Sequence, residues 1–228
     1  MAFQTSVQTY PAYAVAGDFA SANPRASFVG PEGGFVAGSA GVTVGRFVWI
    51  QSDGKTVLNT GTGAPDGFVH REQQALITTY LAESGSVIPV GFPVTVMRTG
   101  DYWATANVSS AVKGEKVYAK FQDGTTRFEP TASAPASASI TAAQSGTTLT
   151  VSAVASGALS VGDLVTQATG TPAYITAQLT GTAGSTGTYT LSVSQTVSSG
   201  SATATSYVET PFVCTQAAAV GELAVMSL

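Results

Sequence analysis

The chain has 228 residues, of which 44% are hydrophobic and only 10% charged, with a formal net charge of −4. That balance argues against a nucleic-acid partner, which needs a basic face to displace counterions from phosphate. So few charges leave little to keep a soluble monomer apart from its neighbours, and point to surface buried in an assembly.

Cys214 is the single cysteine, so no intrachain disulfide framework or cysteine metal cluster can form. The opening MAFQTSVQTYPAY has neither a basic start nor an apolar core and does not read as a signal peptide. No run reaches the roughly 18 apolar residues of a membrane helix. The expectation is a soluble chain made in the cytoplasm, with no membrane partner.

Residues 16–38, AGDFASANPRASFVGPEGGFVAG, are too rich in Gly, Ala and Pro for a helix and keep no period of two, yet they are too apolar for a disordered tail. The run GVTVGRFVWI (41–50) alternates and then turns continuously apolar. SDGK (52–55) follows as a tight turn, with Asp-Gly supplying the positive φ, and KTVLN returns. HREQQALITTYLAESG (70–85) fits a helix face through Leu76, Ile77, Tyr80 and Leu81, and a strand through Ala75, Ile77, Thr79 and Leu81; both readings stay open. PVTVMR (93–98), DYWATANV (101–108), KVYAKFQ (116–122) and TTRFE (125–129) are short strands split by turn-forming TGD, VKGE and QDGT. Strands at this spacing favour an antiparallel sandwich or barrel.

At this point the composition breaks. All nine Lys and Arg residues lie at or before Arg127, and from Pro130 to Val208 the only charge is Asp163, while 31 residues are Ser or Thr. The stretch is patterned nonetheless, with Thr- and Val-rich runs at 139–142, 147–154, 163–166, 173–179, 187–193 and 201–206 between Gly turns. Excising 131–206 joins KFQDGTTRFEP to VETPFVCTQ as one strand following another. The expected organisation is therefore a discontinuous β domain, 1–130 plus 207–228 with 1–38 arm-like, carrying a Ser/Thr-rich Ig-like β domain at 131–206.

Signals for chemistry are weak. His70 is the one histidine, and with Asp66, Glu72 and Asp101 it makes too poor a ligand set for zinc. No G-x-S-x-G elbow or G-x-x-x-x-G-K-[ST] loop occurs. GTGAPDG (61–67) places Asp66 where a phosphate loop would need glycine. Cys214 sits in apolar PFVCTQ, and Trp49, Tyr102 and Trp103 read as core. The expectation is a non-enzymatic protein with no catalytic residue, no metal and no cofactor.

The blocks AVAGDFASANPRASFV, GPEGGFVAGSAGVTVGRFVW, GFVHREQQALITTYLAESGSVIPVGFPVTVMRTGDYW, KGEKVYAKFQDGT and ETPFVCTQAAAVGELAVMSL resemble the structural cement proteins of tailed bacteriophage capsids, over about two-thirds of the chain. GTTLTVSAVASGALSVGDLVTQATG and GTAGSTGTYTLSVSQTVSSG resemble a small β-module inserted in phage structural proteins. The resemblance implies an all-β fold with an antiparallel barrel or jelly-roll-like body. It implies copies on the outer face of the virion that bridge major capsid protein subunits and assemble as homodimers or homotrimers. An N-terminal arm lying across a partner would use Tyr10, Tyr13, Phe19, Phe28 and Phe35 as anchors, with Arg25 and Arg46 at an acidic rim; the alternative is that the arm covers its own barrel. The 131–206 module is expected to project outward, where host-surface contact is open to it. The rival reading is a tail- or fibre-associated module that binds host glycan through 131–206.

Overall fold

The computed structural model describes residues 14–30, 33–72, 86–129 and 135–228. In chain order the first strands are β1 (Ala26–Ser27), β2 (Phe35–Ala37), β3 (Val42–Thr43), β4 (Phe47–Ile50), β5 (Thr56–Leu58) and β6 (Gly67–Val69). Next come β7 (Val87–Ile88), β8 (Pro93–Val94), β9 (Val96–Thr99), β10 (Asp101–Thr105), β11 (Lys116–Lys120) and β12 (Thr126–Glu129). The last are β13 (Ala138–Gly157), β14 (Leu164–Gln167), β15 (Ala173–Gln178), β16 (Gly187–Thr205), β17 (Tyr207–Gln216) and β18 (Leu223–Ser227). No helix occurs among the described residues, as the expected all-β class requires. The open question over 70–85 falls almost wholly on residues 73–85, outside the described residues.

Two sheets form the body. One has seven strands in the order β1-β9-β6-β4-β5-β2-β8, antiparallel except where β2 runs parallel to β5. The other has five antiparallel strands in the order β10-β18-β17-β11-β12. The continuous apolar run in β4 has its explanation here, because both faces of the seven-stranded sheet are covered. Phe47 and Trp49 point to the core shared with the five-stranded sheet, beside Phe68, Tyr102 and Phe212. Val48 points the other way, into a second core with Val42, Val57, Val69, Ile88 and Val96, beneath the small β3-β7 sheet. Ring centroids 5.3 Å apart for Phe47 and Phe68, and 5.8 Å for Phe47 and Phe212, knit the first core with edge-on contacts.

Turn chemistry sets the register where the sequence announces it. Asp53 accepts the N–H groups of Lys55 (3.0 Å) and Thr56 (2.8 Å) and the Thr56 hydroxyl, while Gly54 takes φ +69°, so β4 and β5 pair as a hairpin.

The sheets stay open, and none closes into a barrel, the first of the two forms expected for the body. Gly100, at φ +132°, carries the chain straight from β9 in one sheet to β10 in the other, so the strands turn a corner rather than extend a hydrogen-bonded wall. One edge of each sheet is covered instead. Residues 17–20 run along β10, with Gly17 N–H to Trp103 O (2.8 Å), Trp103 N–H to Asp18 O (3.0 Å) and Ala20 N–H to Asp101 O (2.9 Å). A few residues on, β1 pairs with β9. One irregular segment thus shields an edge strand of each sheet, a device that suppresses edge-to-edge association.

β13 to β16 form a separate four-stranded sheet, with its own core of Ile140, Leu149, Val151, Val165, Ile175, Tyr189 and Leu191. β13 doubles back on itself: the Ser152 hydroxyl donates to Thr141 O at 3.1 Å, and Gly157 lies against Ser137. β17 and β18, which follow this sheet in sequence, pair within the five-stranded sheet through β11 and β10.

Candidate functional site

Among the described residues no three His, Cys, Asp or Glu side chains approach closely enough to hold a metal. His70 is engaged structurally. Its Nδ1 lies 2.9 Å from Gly17 O and, since a carbonyl only accepts, carries the proton; its ring stacks on Phe19 at 3.8 Å. Cys214 is buried in the first core, and burial pushes its thiol up, away from the reactive thiolate.

The residues expected at an interface are occupied within their own chain. Phe19 bridges to Tyr102 and lies between His70 and the Arg25 guanidinium, which sits 3.8 Å from its ring centroid. Phe28 packs against the second core, its N–H on Val96 O (2.9 Å) and Arg98 over its ring. Phe35 is buried in β2, and Arg46 donates to Asp123 O at 3.3 Å. Tyr10 and Tyr13 lie outside the described residues.

Asp101 anchors the edge-covering segment. It accepts the hydroxyls of Ser21 and Ser227, both at 2.5 Å, and the Asn23 amide at 2.6 Å. The Ser21 and then the Ser227 hydroxyl hold its carboxyl below the usual carboxylate range, against the upward push of burial. A carboxyl whose pKa is lowered in the folded state stabilises fully above its unfolded value, about 4, and loses that contribution as pH falls through the folded value. Hydrogen exchange at Gly17 and Ala20 is therefore expected to be slower in the wild type than in Asp101→Asn at pH 7, with the gap closing as pH falls below 4. A gap independent of pH would remove Asp101 as the anchor.

Two further features stand at opposite ends of the five-stranded sheet. At one end the loops 106–114 and 216–222 are tied together: Ala111 and Ala218 exchange N–H to O bonds (2.9 and 3.0 Å), as do Ala106 with Glu222 and Gly221 (2.9 and 2.8 Å). Their tips present Val108, Val112 and Val220, respectively 52%, 53% and 58% exposed, beside exposed Ala217 and Ala219. An apolar cluster left in water marks an interaction surface more often than an isolated exposed valine does. The reading from sequence missed it, because the two loops are about a hundred residues apart in the chain and neither is apolar enough alone.

At the other end, where β11 ends and β17 begins, the four-stranded sheet meets the body. Asp163, fully buried, accepts from the Ser206 hydroxyl (2.6 Å), the Gln122 amide (2.8 Å) and the Ser160 N–H (2.8 Å). The Ser137 hydroxyl donates on to Ser206 Oγ at 2.8 Å. The Tyr174 hydroxyl accepts Gly63 N–H at 2.8 Å, and its ring stands edge-on to Phe121 at 5.3 Å. The signal for this junction was in the sequence as the lone charge of a 79-residue stretch, since a single acid in such a stretch has a specific set of donors or would have been lost to desolvation.

The sequence model of a family described as XM1 gp53 minor capsid protein matches residues 3–161, well over half of the chain. A solved structure described as the capsid of Myoviridae Phage XM1 aligns over 100% of this chain and 97% of that one, at 14% identity and a TM-score of 0.49. No curated protein matches.

Proposed function

Because the chain belongs to the XM1 gp53 minor capsid protein family, and so is a structural protein of the phage capsid, we propose that it decorates the mature head from outside and bridges neighbouring major capsid protein subunits. The apolar tip at Val108, Val112 and Val220 is the attaching end. The nearly uncharged module at 135–206 faces away from the shell.

The observation that carries this reading is the opposition of those two ends. The tip is tied at the β10–β18 end of the five-stranded sheet, and the Ser/Thr-rich module is stapled at the end where β11 meets β17. A shell-bound protein needs one face that leaves water and one that stays in it, and this body separates them along a single sheet. With residues 17–28 held along one edge of each body sheet, that segment is paired within its own chain and the body can be added to a lattice already built. Residues 1–13, with Tyr10 and Tyr13 and no charge, are further candidates for shell contact. The work is done without turnover: a bridge that binds only the assembled lattice stabilises that state by mass action, and many weak bridges act together.

Quantitative mass spectrometry of purified particles tests the proposal. The molar ratio of this chain to the major shell protein is expected to be one or a simple fraction of one. A ratio of a few per cent or less would remove it from the lattice and favour the tail-associated reading.

A further inference from the structure

We propose that Asn107, Ser109 and Thr126 are positioning residues of the attaching tip: they form a clasp onto β12 that holds Val108 in its binding position before any shell is met. The inference rests on the reading of Val108, Val112 and Val220 as the attaching end, and names the groups that set the shape of that end. Ala106 and Ala111 tie the 106–114 loop to the 216–222 loop through their backbone. Between them run Asn107-Val108-Ser109-Ser110, and this stretch is fastened to the body by side chains.

The Ser109 hydroxyl donates to Phe128 O at 2.6 Å. The Thr126 hydroxyl donates to Thr105 O at 2.5 Å and accepts the Asn107 amide at 3.4 Å, and that amide also donates to Thr105 O at 3.1 Å. Asn107 and Ser109 thus both turn toward β12, while Val108 between them stands out in water. β12 is the edge of the five-stranded sheet that residues 17–20 leave uncovered. An edge strand has backbone groups without a neighbouring strand, and one of them, Phe128 O, fastens the tip. Thr126 itself is buried, so its hydroxyl depends on these partners rather than on water. The clasp matters to binding because apparent affinity falls in proportion to the fraction of molecules already in the bound form. Without it, residues 107–110 would have to be ordered at the moment of attachment.

Binding kinetics of the full chain on shells that lack it test the clasp. Ser109→Ala combined with Thr126→Val is expected to weaken binding about tenfold, mainly through a slower association rate, as for a free loop that holds the bound form about a tenth of the time. Ser109→Thr and Thr126→Ser keep the hydroxyls and should bind close to the wild type. Hydrogen exchange at the Ala111 and Ala218 N–H groups should be faster in the double variant. Asp163→Ala, which acts at the other end of the sheet, should change neither that exchange nor the affinity, so general destabilisation is told apart. Val108→Asp with Val220→Asp on the same shells separates the two readings. If the valine pair binds like the wild type, the tip is not the attaching end and both readings fall. If the valine pair fails to bind while Ser109→Ala with Thr126→Val binds like the wild type, the clasp alone falls. An equal loss in Ser109→Thr and Thr126→Ser also overturns it, since shape rather than the hydroxyls would then be at work. If Thr126→Val does not fold, Ser109→Ala decides alone, by a slower association that Ser109→Thr does not show.

Discussion

Asp163→Ala is expected to destabilise the protein by about 3–5 kcal/mol, a fall of roughly 10 °C in melting temperature for a chain of this size. The carboxylate is fully buried and balanced by three donors, the Ser206 hydroxyl, the Gln122 amide and the Ser160 N–H, with no cation among them. Alanine would leave all three without an acceptor, and each orphaned donor costs about 1–3 kcal/mol, partly offset by the removal of a buried charge. Asparagine has nearly the same shape yet does not rescue fully. Every partner is a donor, so its NH₂ must face another donor, and about 2 kcal/mol should still be lost. Differential scanning calorimetry of the two variants checks this. If Asp163→Ala melts with the wild type, the carboxylate holds nothing together. Early melting with the body core intact, read from Trp49 fluorescence, would place the damage at the junction with the four-stranded sheet.

The second large effect concerns attachment. Val108→Asp combined with Val220→Asp is expected to lower the affinity for shells about a hundredfold or more and to leave the fold intact. Each valine buried against a partner contributes roughly 1–1.5 kcal/mol, and a carboxylate in its place adds the cost of desolvating an unpaired charge. Both side chains stand more than half exposed on loops whose pairing is made by backbone groups, so the fold does not depend on them. Co-sedimentation of the variant with shells that lack this protein is the readout. A variant that still saturates the shells would move the attaching surface elsewhere, first to residues 1–13. The two predictions are separable: Asp163→Ala should change stability with little effect on attachment, and the valine pair should do the reverse.

The reading of 16–38 shows why some predictions from sequence gain their meaning only in three dimensions. Its apolar residues are sticky but unpatterned, and suit either an arm across a partner or a cover over the chain's own body. In the fold, Phe19 and Phe28 pack on the chain's own body, where this segment covers one edge of each sheet, at β9 and at β10. An irregular segment has no period to reveal its partner, since its hydrogen bonds to β9 and β10 span about 70–85 residues of chain.

What the sequence determined by itself is what local physics controls. Period-two runs and Thr/Val-rich stretches established the all-β class, Asp53-Gly54 its hairpin, and the absence of Lys and Arg after Arg127 the change in character of the chain. Each rests on neighbours in the chain, where side-chain alternation and turn φ angles act. Tertiary structure alone decided that β4 is buried on both faces, that Asp163 meets Gln122 and Ser206, that Val108 and Val220 share one tip, and that the sheets stay open. All of these join residues far apart in the chain, and which distant strands meet is settled by the packing of whole faces, to which any one segment contributes only a part.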